Sequence, residues 1–235
     1  MQGLKPKVHT DPSSSSVPGQ ERLAAALGAI IPGGQLVFQA LPDCPELELL
    51  LLAADYPQQG LTTEDAERVM DNPLYWIFCW ASGQVLARRL LDNPDWVRGR
   101  RVLDFGAGSG VAGIAAALAG AREVVACDND PLALQACSIN AARNGVELLL
   151  SDDFKQVSGD IDLVIVADVL YDSGNFPWLA KFTERSPRVL VADSRVREFN
   201  YPPYREVDAA VSCTLPDLDE SEEFRHVKLY VAGEL

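Results

Sequence analysis

Val102-Leu103-Asp104-Phe105-Gly106-Ala107-Gly108-Ser109-Gly110 is the stretch whose reading decides the fold. Arg101 to Phe105 (RVLDF) reads as a buried strand, and the small-residue run Val111 to Ala119 reads as a helix. Between them stand three glycines in five residues. Glycine lets backbone approach a ligand closely, and the helix that follows presents free N–H donors at its start. A plain tight turn is the bland alternative, and it has no need of three glycines.

Working outward, the same alternation continues. Glu123 to Cys127 (EVVAC) reads as a second strand, and Pro131 to Asn144 as a helix. Its Pro131 is tolerated in the first turn, and Gly145 marks its stop. Glu147 to Leu150, Asp162 to Ala167 (DLVIVA) and Arg188 to Ala192 (RVLVA) read as strands, with a helix over Phe176 to Arg185. Near-continuous apolar strands alternating with helices predict an α/β fold with a doubly wound parallel sheet. Ala209 to Cys213 and Arg225 to Val231 read as an antiparallel pair closing the sheet edge. Upstream, Gln35 to Gln39 and Leu47 to Ala54 read as two strands joined across Pro42 and Pro45, and Thr63 opens a capped helix to Met70. Residues 1–20, rich in Ser, Pro and Gly, read as a disordered tail. Residues 21–71 read as an N-terminal extension and 72–235 as the main domain.

Three ligands compete for the glycine loop. Gly108-x-Gly110-x-x-Gly113 matches the dinucleotide pattern, but that pattern leaves Gly106, Ala107 and Asp104 unexplained. A triphosphate loop needs Gly-Lys-Ser/Thr, and no lysine is present. VLDFGAGSG resembles motif I of the class I S-adenosylmethionine-dependent methyltransferases. The resemblance implies that Gly106, Ala107, Gly108 and Gly110 cradle the aminoacyl part of that cofactor and that Asp104 helps hold its ammonium. It implies that Asp128, 18 residues past Gly110, takes the ribose hydroxyls beside Asn129; a carboxylate suits a diol because it accepts both hydrogens. Asn129 and Asp130 also read as caps for the Pro131 helix. Ser151-Asp152-Asp153-Phe154 resembles the segment that meets the adenine amino group, with Asp152 favoured over Asp153.

The block from Asn72 to Gly110, NPLYWIFCWASGQVLARRLLDNPDWVRGRRVLDFGAGSG, carries a narrower likeness. With Asp168-Val169-Leu170-Tyr171-Asp172 and Arg188 to Asp193, it resembles the family-16-type methyltransferases, and within them the lysine methyltransferases of the electron transfer flavoprotein beta subunit. This resemblance implies a Rossmann-like, doubly wound, mostly parallel sheet of the seven-stranded methyltransferase type. It also implies methyl transfer to protein lysine. The family's Trp-Pro-Gly-Gly becomes Trp80-Ala81-Ser82-Gly83 here. Trp80 is expected to flank the adenine or ribose and Trp76 to help enclose the site, the alternative being that both, with Phe78, are core aromatics.

Composition narrows the chemistry. Two histidines, His9 and His226, cannot build a multi-imidazole zinc site and make a histidine-based triad improbable. Five cysteines without CxxC spacing point to reduced thiols in the cytoplasm, with no metal site. A net charge of -14 disfavours nucleic-acid binding and attracts cationic partners. No apolar run reaches membrane-spanning length, so no membrane association is expected. Methyl transfer needs an aligned lone pair more than an acid–base team, which suits a chain this poor in histidine. Asp168, Tyr171 and Asp172 follow the fourth strand, where ligands of open α/β sheets bind. A carboxylate and a phenol there are expected to orient an incoming ammonium, with Asp168 also touching the cofactor. Core packing is the alternative for Tyr171 and helix capping for Asp172. The acidic run Asp217 to Glu223 (DLDESEE) reads as a solvated hairpin loop, or else as an attractor for a lysine-bearing protein surface. A partner protein with a lysine in an exposed basic segment is the expected acceptor. A small-amine N-methyltransferase and an inactive binding module are the competing readings.

Overall fold

The computed structural model describes residues 17–56 and 73–235. The helix expected from Thr63 lies outside the described residues. Seven strands form one sheet: β3 (Arg101–Phe105), β4 (Glu123–Cys127), β5 (Leu149–Ser151), β6 (Leu163–Ala167), β7 (Val189–Asp193), β8 (Arg205–Val211) and β9 (His226–Ala232). Their order is β5-β4-β3-β6-β7-β9-β8. Strands β3 to β7 run parallel, while β9 is antiparallel to both β7 and β8. This is the seven-stranded, mostly parallel sheet with an antiparallel C-terminal pair. The third strand starts two residues later than its apolar run suggests, and β8 starts earlier.

Period-2 alternation divides the strand residues between two cores. Val102, Leu163, Ile165, Leu190 and Ala192 face one way. There they meet Val85, Leu86 and Leu90 of α2 (Ala81–Asp92) and Ile114 of α3 (Val111–Leu118). Leu103, Val164, Val166, Val189 and Val191 face the other way, against Leu179 and Phe182 of α5 (Pro177–Arg185). Fully burying one such side chain contributes about 1.5–3 kcal/mol, so both faces of every central strand stabilise the sheet.

A third cluster lies outside the sheet. There α1 (Val17–Ile30) and the hairpin of β1 (Leu36–Ala40) and β2 (Glu48–Leu52) pack on α4 (Pro131–Arg143). Asn140 of α4 accepts from Leu50 N at 2.7 Å, and Asn144 accepts from Glu48 N at 3.0 Å, which fixes β2 against the helix. Residues 17–20, assigned by composition to the tail, are instead the first turn of α1. Trp76 is also corrected. Residues Tyr75–Ile77 form a 3-10 turn, whose side chains rotate by about a third of a turn per residue rather than alternating. Trp76 therefore points into this third core, fully buried, while Tyr75 stays exposed.

Candidate active site

A cleft of about 620 Å³ opens at the C-terminal ends of β3, β4, β5 and β6, with the turn after β7 and residues 218 and 220 on its far wall. The chain reverses sheet direction at β3, with β4 and β5 to one side and β6 and β7 to the other. Ligands of open α/β sheets bind at such a switch point.

The glycine loop forms the floor. Gly106 and Gly108 line the cleft, both at positive φ (70° and 53°). A Cβ on Gly108 would meet nothing nearer than Gly106 O at 3.9 Å, so glycine here leaves the floor bare of side chain. Asp128, at the end of β4, accepts from Gly108 N and from Asp130 N, both at 2.9 Å. Its carboxyl is raised above the ordinary range, chiefly by burial, against the pull of those donors. Asn129 and Asp152 also line the cleft. Asp153 reaches it too, but its carboxylate accepts from Lys155 N at 2.8 Å and caps a short 3-10 turn, leaving Asp152 the more open acid. Asp130, not Asn129, caps α4, by accepting from Leu132 N at 2.8 Å.

Three residues expected at the cofactor lie behind the loop. Asp104 is 2% exposed and accepts from Gly113 N at 2.8 Å, in the first turn of α3. Burial pushes its carboxyl up to about 7. Ala107 is buried, and Gly110 (φ 83°) packs so closely on α4 that a Cβ would lie 3.2 Å from Cys137 Cα. These three shape the loop from beneath rather than line the cleft.

On the β6 side, Asp168 lines the cleft at φ 49°, a conformation that aspartate tolerates. Its Oδ1 accepts from Ser82 Oγ (2.7 Å), Ser194 Oγ (2.9 Å) and Ser194 N (3.1 Å), and its Oδ2 accepts from Ser82 N (3.2 Å). Each carboxylate oxygen has two lone pairs, so Oδ1 is fully engaged, while Oδ2, with a single donor at 3.2 Å, keeps one acceptor site. Asp168 therefore ties the start of α2 to the turn after β7, and the expected contact with an ammonium has the remaining Oδ2 site open to it. Trp80, at the N-cap of α2, has no side-chain acceptor for that helix, and Asp168 supplies one from across the sheet. Asp172 is corrected. It accepts from Gly174 N at 2.8 Å, caps a 3-10 turn and does not line the cleft.

Tyr171, 54% exposed, does line it, with its ring centroid 5.4 Å from that of Tyr75. Burial of the hydroxyl, then its hydrogen bond with Tyr75, pushes its phenol up to about 12, so it stays protonated at neutral pH. Trp80 follows, 6.1 Å from Tyr75. The sequence reading missed the opposite apolar wall, Phe105, Phe154 and Trp178, where Phe105 and Trp178 lie 4.7 Å apart. Phe105 stands directly before the glycine loop and Phe154 directly after Asp153, so their positions beside known motifs were the available signal. Tyr75 and Arg195 were missed too, and Glu220 was read only as part of the run Asp217 to Glu223. The run Asp217 to Glu223 is not wholly solvated, because Leu218 and Glu220 within it line the cleft.

A family model for ribosomal protein L11 methyltransferase (PrmA) matches residues 86–175. The electron transfer flavoprotein beta subunit lysine methyltransferase of Mus musculus is 34% identical over 187 residues, 76% of this chain and 72% of that one. The chain belongs to this methyltransferase family. The Rattus norvegicus protein of the same name is 36% identical over 164 residues, 66% of this chain, which spans 63% of the rat protein's length. Among solved structures, the candidate RNA methyltransferase PH1948 from Pyrococcus horikoshii superposes with a TM-score of 0.50 at 19% identity. That likeness, over 66% of this chain and 84% of that one, shows the fold.

Proposed function

We propose that this protein transfers methyl groups from S-adenosylmethionine to the side-chain amine of a lysine on a partner protein, with the beta subunit of electron transfer flavoprotein as the first acceptor to test. The observation that carries this reading is the division of the cleft. Its β4–β5 half offers a bare glycine floor, the Asp128 carboxylate and Asp152 beside the Phe105–Phe154–Trp178 wall. Its β6–β7 half offers aromatic rings and Glu220. The first half fits the cofactor: an acid for a diol, a flat apolar wall for a purine and backbone close enough for an aminoacyl group. When bound, S-adenosylmethionine supplies a sulfonium methyl open to in-line displacement.

What the chain adds is alignment and desolvation. Holding two reactants in line contributes roughly 7–11 kcal/mol. A lysine amine has an ordinary pKa of about 10.4, and only its neutral form has a free lone pair. Tyr75, Trp80 and Tyr171 offer an apolar surround, which disfavours the charged ammonium. The net charge of -14 favours encounter with a basic segment. A reducing cytoplasmic compartment belongs to the same proposal, supported by five unpaired cysteines. None of the described helices is long and apolar enough to cross a membrane.

The test is mass spectrometry of the flavoprotein beta subunit after incubation with enzyme and S-adenosylmethionine. Mass gains in steps of one methyl on lysine are expected, at initial rates that fall with added salt. An unmodified flavoprotein beside a methylated small amine supports the small-molecule reading. No transfer to any acceptor supports an inactive module.

A further inference from the structure

The acceptor half of the cleft already holds a cation. Arg195, in the turn after β7, is the one basic side chain among the described residues that line the cleft. Its guanidinium carbon lies 4.2 Å from the ring centroid of Phe224 and 5.6 Å from that of Trp80. The guanidinium is ion-paired with Glu220, and the two side chains are only 20% and 15% exposed. The second oxygen of Glu220 accepts from Thr214 Oγ1 at 2.5 Å. Two aromatic faces and a carboxylate are the parts from which proteins build ammonium sites.

The wall of this site is fixed. Leu215 and Cys79, the residue before Trp80, exchange two backbone hydrogen bonds of 2.8 Å, which docks the segment carrying Glu220 beside the ring. Arg195 differs: its backbone is held by Asp193, which accepts from Arg195 N at 2.8 Å, but its side chain reaches the site on a long flexible stem. The other acids of the cleft have work of their own or lie elsewhere. Asp168 holds Ser82 and Ser194 through four hydrogen bonds and keeps a single Oδ2 site, Asp128 holds the glycine loop, Asp153 caps a turn and Asp152 belongs to the β5 end. Glu220 can exchange one cation for another without being left as an uncompensated buried charge, which is the costly alternative.

We propose that Trp80, Phe224 and Glu220 form the receiving site for the ammonium of the acceptor lysine, and that Arg195 occupies this site until the acceptor displaces it. The proposal rests on the lysine-methylation reading and adds which residues select the acceptor. Its signature is a pair of opposite effects. Glu220→Gln removes the charge that attracts the lysine, whereas Arg195→Met removes the competitor. A merely structural ion pair gives losses of the same sign from both variants.

Two measurements on the full chain test this. In the first, steady-state methylation of the flavoprotein beta subunit is compared across variants. KM for the acceptor is expected to rise roughly tenfold in Glu220→Gln and to fall severalfold in Arg195→Met, the tenfold change being about 1.4 kcal/mol. Calorimetric S-adenosylmethionine affinity, the control for folding, is expected to stay unchanged. In the second, tetramethylammonium chloride is titrated calorimetrically against a sodium chloride blank. Binding is expected to be at least about fivefold tighter in Arg195→Met than in wild type, and lost in the double variant with Glu220→Gln. If Arg195→Met does not fold, Arg195→Gln, which also removes the charge, is read in its place. A rise in KM in both single variants, or equal tetramethylammonium binding in wild type and Arg195→Met, overturns the proposal. Expected tetramethylammonium binding with no lysine methylated by wild type leaves the cation site standing and removes the substrate reading instead.

Discussion

Asparagine at position 168 keeps the shape of aspartate and its tolerance of positive φ, so it isolates the charge. The amide oxygen is best placed where Oδ1 is now, facing Ser82 Oγ, Ser194 Oγ and Ser194 N. Its NH2 then faces Ser82 N, now 3.2 Å from Oδ2, and donor meets donor. One hydrogen bond to a charged group is lost, about 1.5–3 kcal/mol. The negative charge at the start of α2 is lost too, about 0.3–1 kcal/mol. Together these give about 2–4 kcal/mol. At about 2–4 °C per kcal/mol for a chain of this size, the melting temperature should fall by about 4–16 °C. Differential scanning calorimetry without ligand measures this, alongside methylation at a temperature where both proteins are folded. Because α2 starts next to Trp80, methylation should fall as well, by about tenfold, and for a geometric reason. If the variant melts within about a degree of wild type while methylation is lost, Asp168 acts on the substrate and the tie between walls is wrong.

Asp128→Ala should weaken S-adenosylmethionine binding by about 1.5–3 kcal/mol, read by calorimetry, whereas Asp128→Asn, which can still accept from Gly108 N, should lose less. Unchanged affinity in Asp128→Ala removes this residue from the cofactor half. Asp104 makes the protein pH-sensitive. Its folded carboxyl titrates near 7 against an ordinary 3.8, so the folded state holds the proton more tightly. Its contribution is present in full below about pH 4 and lost as pH rises through 7. Asp104→Asn can still accept from Gly113 N and should flatten the melting temperature across that window; an unchanged slope refutes the assignment. Asp172→Ala should lose a cap worth about 0.5–2 kcal/mol and leave methylation almost intact, and a tenfold loss of rate places Asp172 back in the site.

The sheet was legible because its signal is local. Arg101–Phe105 and Glu123–Cys127 match their strands residue for residue, since a strand buried on both faces announces itself as a short, mostly apolar run between turn residues. The glycine loop and Asp128 were legible because loop and acid sit at fixed offsets from those strands. The acceptor half was not. Asp168 and Ser82 are 86 residues apart and Asp168 and Ser194 are 26 apart, and no local pattern reports that their side chains meet. Arg195 and Glu220 meet across 25 residues, and a lone arginine after a strand carries no mark of the aromatic rings that will enclose it. Asp172 was ambiguous for a different reason. An acid after a strand end serves equally to cap a turn or to face a ligand, and only the position of Gly174 N decides between them.

One departure from the family pattern now has a physical reading. The Trp-Pro-Gly-Gly pattern that this stretch resembles reads Trp80-Ala81-Ser82-Gly83 here. A glycine at position 82 offers Asp168 a backbone N–H alone, whereas Ser82 offers the N–H and a hydroxyl at 2.7 Å. Gly83 is kept, and its place shows why: a Cβ there would come within 2.9 Å of Val111 Cγ1, the first residue of α3 and the neighbour of the glycine loop. The same helical turn thus packs through Gly83 on the residue that follows the glycine loop and reaches Asp168 through Ser82. Trp80, one residue ahead of it, lines the cleft and faces Arg195. The start of α2 is therefore the element through which the two halves of the cleft are held in register, and Ser82→Gly should loosen the acceptor wall while leaving the cofactor floor in place.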